Sequence, residues 1–316
     1  MRILILGAGG TGGYFGGRLA QGGADVTFLV RGGRAEQLKA HGLQIRSPLG
    51  DADLPVQFVV AQALPALAQA RPFDLVLLSC KAYDLDSSIA AIAPAVSAGT
   101  TVLPILNGLA HYAALDAAFG APRVLGGLCF ISAMKGPNGE VQHFGKAASM
   151  TFGERDTAAL TDRVTALAAL CEQAGIQHLA SDRIATEQWT KYSFLCALAA
   201  VTCLMRAPVG QVVAAEGGQA FIEATYAETL AVAEAAGHPV PLDKQQAMRG
   251  ILTEPGSKLT ASMLRDLQAG QAVEGAHIVG DMVHRAAQAG IATPCLQAAW
   301  IHLQAYSAGR QAEAAA

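Results

Sequence analysis

The chain has 316 residues, of which 52% are hydrophobic and 15% are charged, and its formal net charge at pH 7 is −3. This composition excludes a disordered chain, and the length suggests two domains. The weakly negative charge, without any run of Lys and Arg, argues against a nucleic-acid-binding surface.

Six cysteines, at positions 80, 129, 171, 196, 203 and 295, show no spacing typical of a metal site and suggest reduced thiols. The first apolar run is too short for a targeting segment. The uncharged stretch at residues 192–205, which has a helical pattern, is shorter than the roughly 20 residues of a membrane helix. We therefore expect a cytoplasmic protein without membrane contact. His277, Asp281 and His284 could share a helix face, but we interpret them as a solvated polar stripe and expect no metal.

An apolar run, residues 3–6, is followed directly by a glycine-rich loop. Gly7, Gly9 and Gly12 have the G-x-G-x-x-G spacing of a dinucleotide-binding turn between a strand and a helix. In such a turn the first glycine allows the tight bend, the second lets the backbone approach a diphosphate, and the third lets the helix pack closely on the sheet. The helix that follows, residues 11–21, would point its N-terminal N–H groups at the diphosphate. We therefore predict a nucleotide site at these glycines.

A second strand, residues 26–30, ends at a position that distinguishes NAD from NADP. A site for NAD carries Asp or Glu there, which accepts hydrogen bonds from the ribose hydroxyls. This chain has Arg31 instead, with Arg34 close behind. Because a guanidinium is a bidentate, permanently charged partner for a 2′-phosphate, NADPH is the expected cofactor. The alternative is that both arginines are merely solvated in a glycine-rich loop.

The first half of the chain alternates short apolar runs with helical patterns, which predicts a doubly wound parallel α/β sheet. The further predicted strands are residues 56–60, 73–79 and 101–106, with helices at 35–41, 64–70 and 84–93. Lys81 and Asn107 follow two of these strands, at the edge where such sheets bind ligands. Asn107-Gly108 is also a dipeptide that favours a plain turn.

From residue 124 onward, the alternation of apolar runs with helical patterns stops. Residues 124–152 predict short strands around a turn at 136–139, added antiparallel at the sheet edge. A helix and a short strand would then complete a Rossmann-type domain over residues 1–182. The remainder, 183–316, is predicted to be an all-helical domain with enough apolar surface for a homodimer. Its predicted helices are residues 184–205, 221–236, 243–252, 257–268, 273–288 and 295–304.

Lys191 is the last charged residue before the long uncharged stretch of the first of these helices. An ammonium group at the edge of so apolar a surface is desolvated, which would make it a better proton donor near neutral pH. The alternative is a lysine whose ammonium group extends to water.

Several features occur together along the chain: the glycine fingerprint, Lys81 after a strand, Asn107-Gly108, Trp189-Thr190-Lys191, and Ser262-Met263-Leu264-Arg265-Asp266 followed by Glu274. This combination resembles the ketopantoate reductase (2-dehydropantoate 2-reductase) family over almost the whole chain. The resemblance implies that NADPH delivers a hydride to the keto carbon of a small 2-oxo acid. Lys191 would then act as general acid toward the developing alkoxide.

The resemblance also implies roles for other residues. Glu274 would lie across the cleft and orient the substrate or the cofactor. Ser262 corresponds to the contact with the substrate carboxylate, and Asn107 to a contact with both cofactor and substrate. Lys81 corresponds to a lysine on the cofactor side of the crevice.

Three positions depart from the best-known members, which carry substrate-binding asparagines where this chain has Leu195, Ala199 and Val209. Because Lys191, Leu195 and Ala199 share a helix face, the wall beside the proton donor should be apolar, which would alter substrate discrimination. Arg206 could supply a replacement contact to a carboxylate, or it could cap carbonyls or stay solvated.

The expected function is therefore NADPH-dependent reduction of 2-dehydropantoate to pantoate, in pantothenate biosynthesis. One alternative keeps the chemistry with a different, more apolar 2-oxo acid. Another is an NADPH-binding sensor without catalysis, against which the joint presence of Lys191, Ser262 and Glu274 argues.

Overall fold

The computed structural model describes residues 1–315, and the chain divides by its internal contacts into two units. The N-terminal unit comprises Met1–Leu106 and His111–Ile184. The helical unit comprises Asn107–Ala110 and the chain from Ala185 onward. The boundary predicted at residue 182 lies near the end of the first unit, while the short segment that begins with Asn107 groups with the second.

The N-terminal unit is built on two sheets. Its strands are β1 (Arg2–Leu6), β2 (Asp25–Leu29), β3 (Leu43–Arg46), β4 (Ala52–Leu54), β5 (Gln57–Val59), β6 (Leu75–Leu78), β7 (Thr101–Pro104), β8 (Gly126–Lys135), β9 (Val141–Gly153) and β10 (Gln177–Ala180). The first sheet is parallel, in the order β5-β2-β1-β6-β7. Its central strands are buried apolar runs, as expected where helices cover both faces.

The helices of this unit are α1 (Gly10–Gln21), α2 (Gly32–His41), α3 (Leu64–Ala70), α4 (Leu85–Ile92), α5 (His111–Phe119) and α6 (Asp162–Gln173). Helix α1 lies between the two sheets, and glycines allow the close approach on both sides. A Cβ added at Gly16 would lie 2.8 Å from the Phe28 ring of the first sheet. One added at Gly13 would lie 2.7 Å from Val141 of the second sheet, and one at Gly17 would lie 2.8 Å from Ile45.

The second sheet corrects the prediction of an antiparallel addition at the edge of the first. Strand β9 pairs antiparallel with β8, and parallel with β3 and β10. These partners form a sheet of their own in the order β10-β9-β3-β4, with β8 along β9. An isolated parallel bridge pairs Val102, in β7 of the first sheet, with Val124, which precedes β8. The prediction missed β3 and β4, which are only four and three residues long.

The helical unit contains α7 (Ile184–Met205), α8 (Val209–Ala214), α9 (Gly218–Ala235), α10 (Leu242–Leu252), α11 (Ser262–Gln268), a π-helix (Ala276–Gly280) that continues into α12 (Asp281–Gln288), and α13 (Pro294–Ala315). Helix α7 is apolar on nearly all sides because it runs through the core of this unit. The predicted Rossmann-type sheet followed by a helical domain is confirmed. None of the helices within residues 1–315 combines the length and the apolar character that crossing a bilayer requires.

The helix predicted from residue 257 begins only at Ser262. The carbonyls of Ser257 and Leu259 accept hydrogen bonds from the N–H groups of Gly210 and Val209, at 2.9 and 3.0 Å. This pairing with the start of α8 keeps the segment extended. The prediction also missed α8 itself, a helix of six residues.

Candidate active site

A cavity of about 870 Å³ opens in the N-terminal unit at the carboxyl ends of β1, β2 and β6. Such an edge is where open α/β sheets bind ligands. Its lining includes the glycine loop, the segment after β2, Ser79 and Cys80 after β6, the first turns of α4, and Lys135 of β8. All three fingerprint glycines and Arg31 therefore lie around one cavity. Lys81 follows Cys80 directly and precedes a short 3₁₀ turn, Ala82–Asp84.

The three fingerprint glycines have different surroundings. Gly7 has a φ of +81°, a conformation that other residues rarely adopt, and its N–H donates to Leu29 O at 2.8 Å. A Cβ at Gly9 would meet no atom within 4 Å, so this backbone is open to an approaching group. A Cβ at Gly12 would clash with Ser79 Oγ and would lie 2.9 Å from Gly7 O. Gly12 thus lets the start of the helix pack closely against the glycine loop and the end of β6.

The two arginines after β2 differ in their surroundings. Arg31 is exposed, whereas Arg34 is half-buried. Arg34 donates from Nε to Ala8 O at 3.1 Å and from Nη1 to Gln37 Oε1 at 3.2 Å. Its Nη2 is buried without a hydrogen-bond partner. Burial lowers the pKa of Arg34 from its usual value, and the nearby Glu140 carboxylate partly offsets this.

These features fit the adenosine and diphosphate part of a nicotinamide dinucleotide. The bare backbone at Gly9 would let a diphosphate approach the first turn of α1, where helix geometry leaves N–H groups without intrahelical partners. The unpartnered donor at Arg34 is a buried group that an anionic oxygen would satisfy. Gly7, Gly9, Gly12, Arg31 and Arg34 are therefore the residues that would hold such a cofactor.

The predicted proton donor lies in the helical unit. Lys191 is only 9% exposed, and its Nζ donates to Asn107 Oδ1 at 3.0 Å. The two residues are 84 positions apart in sequence. The structure thus brings together the lysine and the asparagine that the sequence analysis singled out, and the amide oxygen fixes the direction of the ammonium group.

The turn at Asn107-Gly108 packs against the segment that follows Glu274. Gly108 has a φ of +77°, and a Cβ there would lie 2.8 Å from His277 O. Glu274 is 5% exposed, and its carbonyl accepts from the N–H groups of His277 and Ile278 as the π-helix begins. Tyr192, next to Lys191, donates through its hydroxyl toward Ile278 O at 2.8 Å. Helix α7, the asparagine turn and the Glu274 segment are therefore held in mutual contact.

Asp281 takes part in this packing, which corrects the prediction that it lies on a solvated polar stripe with His277 and His284. Its carboxylate contacts the Tyr192 hydroxyl at 2.8 Å and accepts from Arg285 Nε at 2.7 Å. Burial raises the pKa of Tyr192 well above its usual value, and the neighbouring Cys196 and Asp281 add to this. Tyr192 therefore stays a neutral hydrogen-bond donor. No cluster of His, Cys, Asp and Glu able to hold a metal ion occurs among the described residues.

Ser262 is the first residue of α11 and is half-buried. The preceding residue, Ala261, lies beside α7, where its N–H approaches Thr202 Oγ1 at 3.4 Å. The positions between this point and Lys191 on the same face of α7 are Leu195 and Ala199. Leu195 is half-buried, whereas Ala199 is 1% exposed and belongs to the core. Of these two positions, Leu195 is the one with surface to offer a ligand.

Val209, the third position that departs from the best-known members, and Arg206, the candidate replacement contact, lie farther along the chain. Val209 is buried, and its N–H donates to Leu259 O. Arg206 is exposed, has a φ of +51° and ends α7. At 1.5 Å per residue it lies about 22 Å along the helix axis from Lys191. This distance argues against Arg206 as a substitute contact beside the lysine and favours its alternative role at the helix end.

Sequence reasoning missed two residues at the cavity. Gln37, one turn after Arg34 on α2, orients that guanidinium. Lys135 reaches the cavity from the β8–β9 hairpin. The turn of this hairpin was recognisable, but its return over α1 depends on pairings with distant strands.

Two family models match successive parts of the chain, and individual proteins match nearly all of it. The family model described as ketopantoate reductase PanE/ApbA matches residues 3–157, and the one for its C-terminal part matches residues 183–307. The uncharacterized oxidoreductase YkpB of Bacillus subtilis is 36% identical over 98% of this chain and 99% of its own length. The 2-dehydropantoate 2-reductase of Mesorhizobium japonicum is 28% identical over 87% of this chain and 88% of its own. The crystal structure of 2-dehydropantoate 2-reductase from Geobacter metallireducens superposes with a TM-score of 0.86 at 31% identity, covering 96% of this chain and 99% of the other.

Proposed function

Since the chain belongs to the ketopantoate reductase family of oxidoreductases, we propose that it reduces 2-dehydropantoate to pantoate with NADPH. The observation that carries the proposal is the hydrogen bond from the buried Lys191 ammonium to Asn107. An ammonium group held in one direction is suited to deliver a proton to an oxygen placed beside it. The product would enter pantothenate biosynthesis.

When bound, NADPH supplies the hydride that adds to the keto carbon. Lys191 gives a proton from Nζ to the carbonyl oxygen as it becomes an alkoxide, so hydride and proton together convert the ketone to an alcohol. Asn107 holds the ammonium group through its amide oxygen. Its amide nitrogen remains a donor for substrate or cofactor.

The other predicted residues bind and orient. Ser262 would donate its hydroxyl to the substrate carboxylate, and Glu274 would accept from a substrate hydroxyl. Gly7, Gly9, Gly12, Arg31 and Arg34 would hold the diphosphate and the 2′-phosphate of the cofactor, with Lys81 on the same side. Burial of Lys191 and Glu274 supports these roles, since charged residues are seldom buried without a task or a partner.

A second candidate substrate is a 2-oxo acid with an apolar substituent, which Leu195 favours. This residue is half-buried one helical turn beyond Lys191, at a position where the best-known members carry asparagine. A leucine there cannot bind a substrate hydroxyl, and the loss of such a bond costs discrimination.

Steady-state oxidation of NADPH tests both candidates. We expect rapid turnover of 2-dehydropantoate, with Lys191→Ala reducing kcat by at least about a hundredfold. A panel of branched and aromatic 2-oxo acids is measured in parallel, with wild type and Leu195→Asn. If wild type prefers a panel member and Leu195→Asn shifts the preference toward 2-dehydropantoate, the second candidate is correct. Cofactor binding without turnover of any substrate would contradict both and favour a sensor.

A further inference from the structure

We propose that Lys135, on the hairpin formed by β8 and β9, binds the 2′-phosphate of NADPH together with Arg34. The inference rests on the proposed function, because it concerns how the cavity would distinguish NADPH from NADH. Lys135 lines the same cavity as Arg31, Arg34 and Gln37 although it lies about a hundred positions later in the chain. The exposed ammonium group is therefore available at the wall that the two arginines share.

The backbone of the hairpin is held against the nucleotide site at two places on either side of Lys135. On one side, a Cβ at Gly10 in the first turn of α1 would lie 2.5 Å from Ala133 O and 2.9 Å from Met134 Cα. On the other side, a Cβ at Gly139 would lie 2.5 Å from Arg34 Nη1. The hairpin thus spans from the start of α1 to the arginine, and Lys135 lies between these contacts.

The position of Lys135 along the hairpin is also fixed. It pairs with Val141, which is fully buried and packs against Gly13 of α1. A slip of the strand by one residue would expose Val141 and turn Lys135 away. The core of the unit therefore sets where this ammonium group emerges.

Charge favours a further cation at this point. A phosphate monoester carries about −1.5 to −2 charges at pH 7, and of the two arginines at the cavity only Arg34 is partly buried, so a cation beside it strengthens the binding of the phosphate. The nearby turn adds a negative charge, since hydrogen bonds from the Glu140 and Asn138 backbone and from Gln142 hold the pKa of Glu140 below its usual value. Without Lys135, Glu140 would be the one charged side chain of the turn at residues 135–140, close to Arg34.

Direct binding separates this role from a general electrostatic effect. Dissociation constants for NADPH and NADH are measured by titration with the full-length protein, for wild type, Lys135→Ala, Lys135→Arg and Lys146→Ala. Lys146 lies on the same hairpin, is exposed and is absent from the cavity lining, so it controls for loss of one positive charge. Adenosine 2′,5′-bisphosphate and adenosine 5′-diphosphate serve as probes that lack nicotinamide.

We expect Lys135→Ala to weaken binding of NADPH and of the 2′,5′-bisphosphate by about tenfold or more, and binding of NADH and the 5′-diphosphate less than twofold. Lys135→Arg should restore most of the loss, and Lys146→Ala should change nothing. An equal loss for all four ligands would place Lys135 at the diphosphate and overturn the inference, as would no loss. If wild type itself does not prefer NADPH, the proposed cofactor is wrong. If wild type prefers it and Lys135→Ala keeps that preference, only the role of Lys135 is wrong.

Discussion

Alanine substitutions at Gly9 and Gly12 should affect different properties: cofactor binding at Gly9 and stability of the fold at Gly12. At Gly9 the added methyl group meets no protein atom within 4 Å, and the backbone there is extended with a φ of −86°. The fold therefore tolerates the change, but the methyl group projects into the cavity where a diphosphate would approach. At Gly12 the methyl group meets Ser79 Oγ and lies 2.9 Å from Gly7 O and 3.3 Å from Ile5 Cγ2.

The magnitudes follow from these contacts. Gly9→Ala replaces one N-cap residue by a poorer one, which costs under about 1 kcal/mol of unfolding free energy. It should weaken NADPH binding at least tenfold, or about 1.4 kcal/mol, because the methyl group separates the phosphate from the α1 N–H groups. Gly12→Ala introduces a methyl group into a closed contact with backbone, and such overpacking costs about 1–3 kcal/mol.

Two assays on each variant distinguish the effects. Titration with NADPH measures binding, and hydrogen exchange of peptides from β1 and β6 measures local stability beside the loop. Exchange is preferable to tryptophan fluorescence because Trp189 and Trp300 are both in the helical unit. If Gly9→Ala binds NADPH as wild type does, the cavity is not the diphosphate site. If Gly12→Ala leaves hydrogen exchange in β1 and β6 unchanged, α1 does not approach these strands as closely as the distances at Gly12 indicate.

Three further predictions concern single side chains. Arg163→Met removes the ion pair at 2.5 Å to Glu154, whose side chain is 4% exposed, and should cost about 3 kcal/mol in urea unfolding at pH 7. Arg163 and Thr161 lower the pKa of Glu154, so this stabilisation is complete above the unfolded-state pKa of about 4.3 and is lost as the pH falls through the folded-state pKa. The difference in unfolding free energy between wild type and Arg163→Met should therefore narrow in acid. A difference that stays constant with pH would contradict this prediction. Arg206→Gly should raise the unfolding free energy by about 1 kcal/mol and leave kcat unchanged. Arg206 has a left-handed φ of +51° at the end of α7, where the N–H of Ala207 donates to Thr202 O, and glycine adopts this conformation without strain. A lower kcat would indicate that Arg206 has a role in catalysis. Asn107→Leu removes the amide oxygen that accepts from Lys191 Nζ and should lower the single-turnover reduction rate about tenfold or more; a wild-type rate would show that this bond is dispensable.

Local sequence patterns predicted the parts of the fold that depend on local rules. The glycine loop and the apolar runs of the parallel sheet are each contiguous, and α7 coincides with its predicted range, 184–205. The second sheet depends instead on pairing between distant segments, such as Ile45 with Val141. Strands as short as β3 and β4 carry too few residues for a period to be recognised.

The same distinction applies to the candidate site. Sequence placed Arg31 and Arg34 as equivalent partners of a phosphate, but their burial depends on the packing of α2. The carbonyl of Ala8 and the side chain of Gln37 hold Arg34 and leave one of its nitrogens without a partner, whereas Arg31 is exposed. Their positions in the sequence singled out Lys191 and Asn107, and the resemblance implied their roles. Their hydrogen bond could come only from the folded chain.

The glycines beyond the fingerprint connect the fold with the cofactor site. Gly12 and Gly16 face the first sheet, so they set the distance from α1 to the strands that end at the cavity. Gly13 and Gly17 face the second sheet, which carries the hairpin with Lys135. Because α1 has no side chains at these contacts, both sheets lie close to it, and the hairpin can reach the first turn of the same helix. A methyl group at Gly13 would therefore act first on the hairpin side of the cavity, 2.7 Å from Val141, and also on the glycine loop, 3.3 Å from Ala8 O.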